Sequence, residues 1–260
     1  MIGRRSGILL AVAMMAAGPV YAQQPPARRA SPPNVHDGVL GGGNSREVST
    51  AELRRALAEE SAIVLDARPY EEYAVSHIPK ARSVRGKLGT TPALYVADVG
   101  EIMEALPDRD QPLIVYCSGL YCGRSERFAE ELAKVGYRNV SRYQLGAPGW
   151  RALGGVMQVE KPALLRLLEE DRTSVLVDGR TIPNRKLRLR KAVPISFAEA
   201  SRAKDDGRLP MTDHNTRIFV VADDGDEARE VAEAIVRDAF HNVSFFDGSI
   251  ADLGELLEDP

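Results

Sequence analysis

One order of elements occurs twice in this chain of 260 residues, and that repeat constrains the fold more than any other feature. "LIVYCSGLYCGRSERFAEELAKVGYRNVSRY" (113–143) is answered by "IFVVADDGDEAREVAEAIVRDAFHNVSFF" (218–246). "AIVLDAR" (62–68) is answered by "SVLVDGR" (174–180). Each long segment reads as a short apolar strand, a polar loop, an amphipathic helix and a second strand. The triplets Asn139–Ser141 and Asn242–Ser244, both "NVS", anchor the alignment. Shared order of this kind is the signature of an internal duplication. Compact apolar strands alternating with helices predict an α/β fold, with a central, mostly parallel sheet flanked by helices in each half.

Local signals place the elements. Ser49 with Glu52 fits a capping box at the start of a helix whose apolar face carries Leu53 and Leu57. "EIMEAL" (101–106) reads as a helix. Ser125 to Val135 is predicted as another, with Phe128, Leu132 and Val135 on one face and Gly136 as the stop. The join between the halves is expected near Gly154 to Lys161. The predicted organisation is an export signal over 1–22, a flexible leader over 23–47, a first domain over 48–156 and a second over 157–260.

The export signal rests on Arg4 and Arg5, the apolar run Ile8 to Ala17, and Val20-Tyr21-Ala22 before the expected cleavage. The run is too short to span a bilayer, and Gly18-Pro19 interrupts it. A periplasmic protein, free of the membrane after cleavage, is the expectation, and thiols there can be oxidised. Pro, Gly, Ser and Arg dominate the stretch from Gln23 to Ser45, which suits a flexible leader. The net charge of -3 leaves no footprint for nucleic acid. The basic run Arg185 to Lys191 reads as a solvated edge or loop.

Both cysteines, Cys117 and Cys122, fall in the loop of the first repeat. Ala222 stands where the second repeat would carry Cys117. The loop there is two residues shorter and holds Asp223, Asp224 and Asp226, which would repel an anion. The scaffold is kept and the thiol chemistry is absent from the second half.

At these residues the chain resembles the rhodanese family of sulfurtransferases. "VLDARPYEEYAVSHIPKARSV" is similar to its first signature through Asp66, Arg68, Glu71, Glu72, Tyr73, His77, Ile78, Pro79 and Ala81. "IVYCSGLYCGRS" is similar to the second, a strand ending in the catalytic Cys and a loop reaching Arg-Ser. "GYRNVSRYQLGAPGW", ending at Trp150, is similar to the third. The likeness is close from Val48 to about Gly155 and weaker beyond. There Asp178, Gly179 and Arg180 remain, but the Glu-Glu-Tyr and His-Ile-Pro elements do not. Three departures stand out. Six residues, not the family's common four, separate Cys117 from Arg124 and Ser125. Cys122 lies among them. The thiol sits in the first half, whereas well-known tandem members carry it in the last.

The resemblance implies two rhodanese-like domains, the second degenerate, with Cys117 accepting sulfane sulfur as a persulfide. A small anionic donor such as thiosulfate and a thiol or cyanide-like acceptor are its implied partners; a periplasmic protein partner is a further expectation. Ser118, Gly119, Leu120, Tyr121, Gly123, Arg124 and Ser125 would form the substrate-binding loop. The physics agrees: a thiol at a strand end before a helix N-terminus meets backbone N–H groups and a favourable dipole, which favour a thiolate and an anionic donor. Gly119 and Gly123 would permit the turns that aim those groups inward. Arg124 either adds charge to the site or faces solvent from the first helical turn. Cys122 reads as a resolving thiol, a bystander or the nucleophile itself. A thiol–disulfide redox protein using both cysteines, and a non-enzymatic binding module, are the alternative functions. No metal or cofactor is expected, since His36, His77, His214 and His241 form no ligand pattern. Asp66, Arg68 and Glu72 read as structural, with Arg68 pairing to Glu71 or Glu72.

Overall fold

The computed structural model describes residues 45–89, 96–181, 184–185, 188–237 and 240–257. The expected signal (1–22) and the leader as far as residue 44 lie outside the described residues. The first half runs β1 (Arg46–Glu47), α1 (Thr50–Ala58), β2 (Ile63–Asp66), α2 (Tyr70–Val75), β3 (Arg82–Ser83), α3 (Val99–Ala105), β4 (Leu113–Tyr116), α4 (Arg124–Lys134), β5 (Val140–Tyr143) and α5 (Gly146–Ala152). The second half runs β6 (Met157–Val159), α6 (Lys161–Glu170), β7 (Val175–Asp178), β8 (Val193–Pro194), α7 (Ala200–Ala203), β9 (Ile218–Val221), α8 (Gly225–Val236) and β10 (Val243–Phe246).

Each half builds one five-stranded sheet. The orders are β1-β5-β4-β2-β3 and β6-β10-β9-β7-β8, the same in sequence terms, and every ladder pair is parallel. The expected leader ended at residue 47, but Arg46 and Glu47 pair with Ser141 and Arg142 as an edge strand. Two residues carry no periodicity, so only the neighbouring strand could reveal this one.

The strands β4, β9 and β10 are buried along their whole length, as continuous apolar runs in parallel sheets should be. Ile114 and Tyr116 of β4 pack toward Leu53 and Trp150 of α1 and α5. Leu113 and Val115 pack toward Ile102, Phe128 and Leu132 of α3 and α4. The capping box of α1 is formed: Ser49 Oγ accepts from Glu52 N at 3.1 Å, and Glu52 Oε2 accepts from Ser49 N at 2.8 Å. Val135 departs from its expected place: it is 38% exposed, and α4 ends at Lys134. The chain reverses at Gly136, Tyr137 N donates to Leu132 O, and Tyr137 fills the apolar position instead.

The segment after α2 joins the halves. His77 and Gln158 form an antiparallel bridge, with N···O distances of 2.9 and 2.8 Å. Ala74 packs into the cluster of Leu164, Leu176 and Phe219. His77 is fully buried, stacked on Tyr73, with Nδ1 2.9 Å from Tyr73 O and Nε2 3.8 Å from Glu160. Burial pushes its pKa from 6.5 down to about 4; Arg68 adds to this and the Tyr73 carbonyl opposes it.

The unfolded chain therefore takes up this proton near 6.5 and the folded chain only near 4. Stability is intact above the upper value and declines as pH falls through the window, by about 3 kcal/mol in full. Thermal unfolding from pH 7 to 4.5 should show a steeper loss for the parent than for His77→Gln. Equal slopes would assign the loss to other groups.

Candidate active site

Asp66 and Tyr116 end adjacent strands and are register partners. The buried Asp66 carboxylate accepts from Arg68 Nε at 2.9 Å, Arg68 Nη2 at 2.6 Å, the Arg68 amide at 3.0 Å and Tyr116 Oη at 2.6 Å. Ile78 N donates to Tyr116 Oη, and Arg68 Nη2 also donates to Ser76 O. Arg68 was expected to pair with Glu71 or Glu72. Its main partner is Asp66, two residues back, with Glu72 at 4.0 Å. A buried guanidinium takes the carboxylate that matches its fork geometry and shares its burial.

Cys117 comes directly after β4 and is 1% exposed. Its Sγ donates to Cys122 O at 3.2 Å and lies 3.3 Å from Ser125 Oγ. Gly119 to Cys122 closes a turn through a 2.9 Å bond from Cys122 N to Gly119 O. Gly119, at φ 108°, requires its glycine. Gly123 does not: its φ is -75°, and a Cβ there would meet nothing within 4 Å. Leu120 is half-buried against the α1/α5 side of the core, whereas Tyr121 is 97% exposed at the loop tip. Ser125 is buried in the first turn of α4. Ser118 and Arg124 are both drawn to Glu72, at 3.1 and 3.3 Å. Arg124 is therefore neither of the two expected things alone: it edges the loop, with its charge offset by a carboxylate. Glu72, read from sequence as structural, is part of the loop's electrostatics.

Loop amides bear on both sulfurs: that of Ser125 lowers the pKa of Cys117, and those of Arg124 and Ser118 lower that of Cys122. The reason is the turn itself, which folds the half-buried Cys122 back toward the helix N-terminus. The thiols also interact directly. The hydrogen bond from Cys117, then the Arg124 and Ser118 amides, draw Cys122 down to about 5 against the cost of burial. Donation to Cys122 and burial hold Cys117 up, with Ser125 opposing. The balance favours a single negative charge on the pair, held on Cys122 rather than on Cys117. Both cysteines are free thiols in this structure.

Gly146 was not singled out from sequence, although "LGAPGW" shows a glycine straight after a strand. At φ 60°, its Cα lies so close to the loop that a Cβ would collide with Cys117 O and Gly119 N. Ala147 N donates to that same Cys117 carbonyl at 3.1 Å. A cleft of about 920 Å³ near Arg54, Lys80, Trp150 and Arg229 contains no residue of the cysteine loop.

Residues 49–153 match the family model described as Rhodanese-like domain. An HTH-type transcriptional regulator of Mycobacterium tuberculosis is 33% identical over 107 residues, 41% of this chain and 42% of that protein. The match thus spans less than half the length of that relative. A thiosulfate sulfurtransferase of Pseudomonas aeruginosa is 20% identical with a TM-score of 0.35, covering 80% of this chain and 42% of that one. A 3-mercaptopyruvate sulfotransferase of Escherichia coli is 17% identical with a TM-score of 0.34, covering 77% of this chain and 97% of that one.

Two substitutions check this architecture. Gly146→Ala should cost about 2–4 kcal/mol by overpacking at a left-handed position. Asp66→Asn leaves the Arg68 charge buried without its partner and should cost about 3–5 kcal/mol. Urea unfolding measures both, and losses near zero would show the two contacts to be incidental.

Proposed function

We propose that this chain, which carries a rhodanese-like domain over residues 49–153, transfers sulfane sulfur through a persulfide on Cys117. The observation that carries the reading is the placement of Cys117: at the end of the central strand, against Ser125 in the first turn of α4, with the Cys122 carbonyl oxygen 3.2 Å from its sulfur.

With a thiosulfate-like donor, Cys117 attacks the outer sulfur, and its proton passes to Cys122. The bond between the two donor sulfurs breaks, and sulfite leaves with that electron pair. Cys117 then bears the sulfane sulfur as a persulfide anion. Loop amides and the helix N-terminus favour the anionic donor and the persulfide. A thiol or cyanide-like acceptor attacks the outer sulfur, takes it and returns Cys117 to a thiolate. Glu72 beside Arg124 offsets part of the positive charge at the loop, so the amides and the helix N-terminus carry more of the attraction for the donor. On the reading of residues 1–22 as an export signal, the reaction belongs outside the cytoplasm.

The second half is read as a copy without this chemistry. Ala222 comes after the central β9 as Cys117 comes after β4. Asp224 caps α8, accepting from Glu227 N, and Asp223 accepts from Asn184. Carboxylates thus occupy the helix N-terminus that an anion would need.

Cys117→Ser should abolish both uptake of one sulfur from thiosulfate, read by intact mass, and thiocyanate formation from cyanide. Cys122→Ser should still take up the sulfur, at a lower rate. Undiminished transfer by Cys117→Ser would overturn the assignment.

A further inference from the structure

We propose that Cys122 discharges the Cys117 persulfide as hydrosulfide, so that the site works as a dithiol and is reset by an external dithiol. The inference rests on the sulfurtransferase reading above and names what completes it. Three observations lead to it. The loop is two residues longer than its counterpart after β9, and that extra length carries Cys122. The turn closed by Cys122 N and Gly119 O folds Cys122 back on Cys117, whose Sγ lies 3.2 Å from the Cys122 carbonyl oxygen. Cys117 Sγ lies 3.3 Å from Ser125 Oγ in the first turn of α4, and Cys122 comes two residues before that helix begins.

The position decides the chemistry. Cys122 lies against the Cys117 sulfur through its carbonyl oxygen, 3.2 Å away, and that sulfur becomes the inner sulfur of the persulfide. Attack there by the Cys122 thiolate forms the Cys117–Cys122 disulfide and breaks the bond to the outer sulfur. The proton that Cys122 took up when the persulfide formed passes to that outer sulfur, which leaves with the electron pair as hydrosulfide. The two thiols lose two electrons and the sulfane sulfur gains them. A dithiol then exchanges with the disulfide, delivers two electrons and two protons, and departs oxidised. Access suits this order. Cys122 is half-buried while Cys117 is not exposed, so the incoming thiolate meets the disulfide at Cys122. Giving up its proton leaves Cys122 a thiolate, the form that attacks.

The test is a single turnover without acceptor. The protein is reduced with a dithiol, desalted, exposed to thiosulfate and, in parallel, to inorganic polysulfide, then desalted again. Intact mass and released hydrosulfide are monitored with time. The parent should release about one equivalent of hydrosulfide per chain and end two hydrogens lighter than the reduced protein. Cys122→Ser and Cys122→Ala should retain the added sulfur and release hydrosulfide at least about tenfold more slowly. A parent that keeps its added sulfur as long as these variants do, with Cys122 still open to alkylation, overturns the proposal. Equal hydrosulfide release from parent and variants overturns it as well. If neither parent nor variants take up sulfur from either donor, the sulfurtransferase reading itself fails and this one with it.

Discussion

The Asp66 carboxylate is the constraint on which the first half depends. It ends β2, yet it holds the Arg68 fork, the Tyr116 hydroxyl at the end of β4 and, through that hydroxyl, the Ile78 amide. One buried acid thereby ties the strand that delivers Cys117 to the strand beside it and to the segment that reaches the second half. Burial drives the Tyr116 hydroxyl well above its ordinary range, so it stays a donor at any working pH. The second half repeats the device, with Arg180 on Asp178 at 2.9 Å. Such pairs do little for net stability against an apolar replacement, but removing one member is costly.

Above that base, the loop is shaped by close backbone approach. The N-terminus of α5 holds the Cys117 carbonyl through Ala147, and Gly146 leaves no room for a side chain between them. The loop is thus clamped at its start by α5 and at its end by α4. Between the clamps, the turn at Gly119 brings two thiols together at one helix N-terminus. Their shared proton is a consequence of that geometry: two sulfurs, three directed amides and a half-offset arginine favour one negative charge rather than two.

The halves share a strand order but differ in the loop that leaves the central strand. After β4 comes a loop that offers amides to sulfur. After β9 comes a shorter loop whose own carboxylates take the equivalent amides. An anion site and an acid-capped helix use the same N–H groups, so the second arrangement excludes the first. What the second half does contribute is packing. Its β6 edge is bridged by His77, and its apolar cluster receives Ala74.

Local signals determined the central strands of both halves and the helices α1, α3, α4 and α8, because apolar runs, a capping box and a glycine stop are read from neighbouring residues. The repeat determined that Cys117 and Ala222 come after equivalent strands. Tertiary structure decided what no spacing encodes. It placed Arg46 and Glu47 in the sheet, since an edge strand exists only by its neighbour. It gave Arg68 to Asp66 rather than to Glu71, and drew Glu72 to the cysteine loop, since partner choice depends on burial and fork geometry. It required Gly146 and released Gly123, since only the approaching backbone decides where a Cβ fits. And it turned the amides toward Cys122 as well as Cys117, because the direction of an N–H is set by the turn, and the turn by the helices that clamp it.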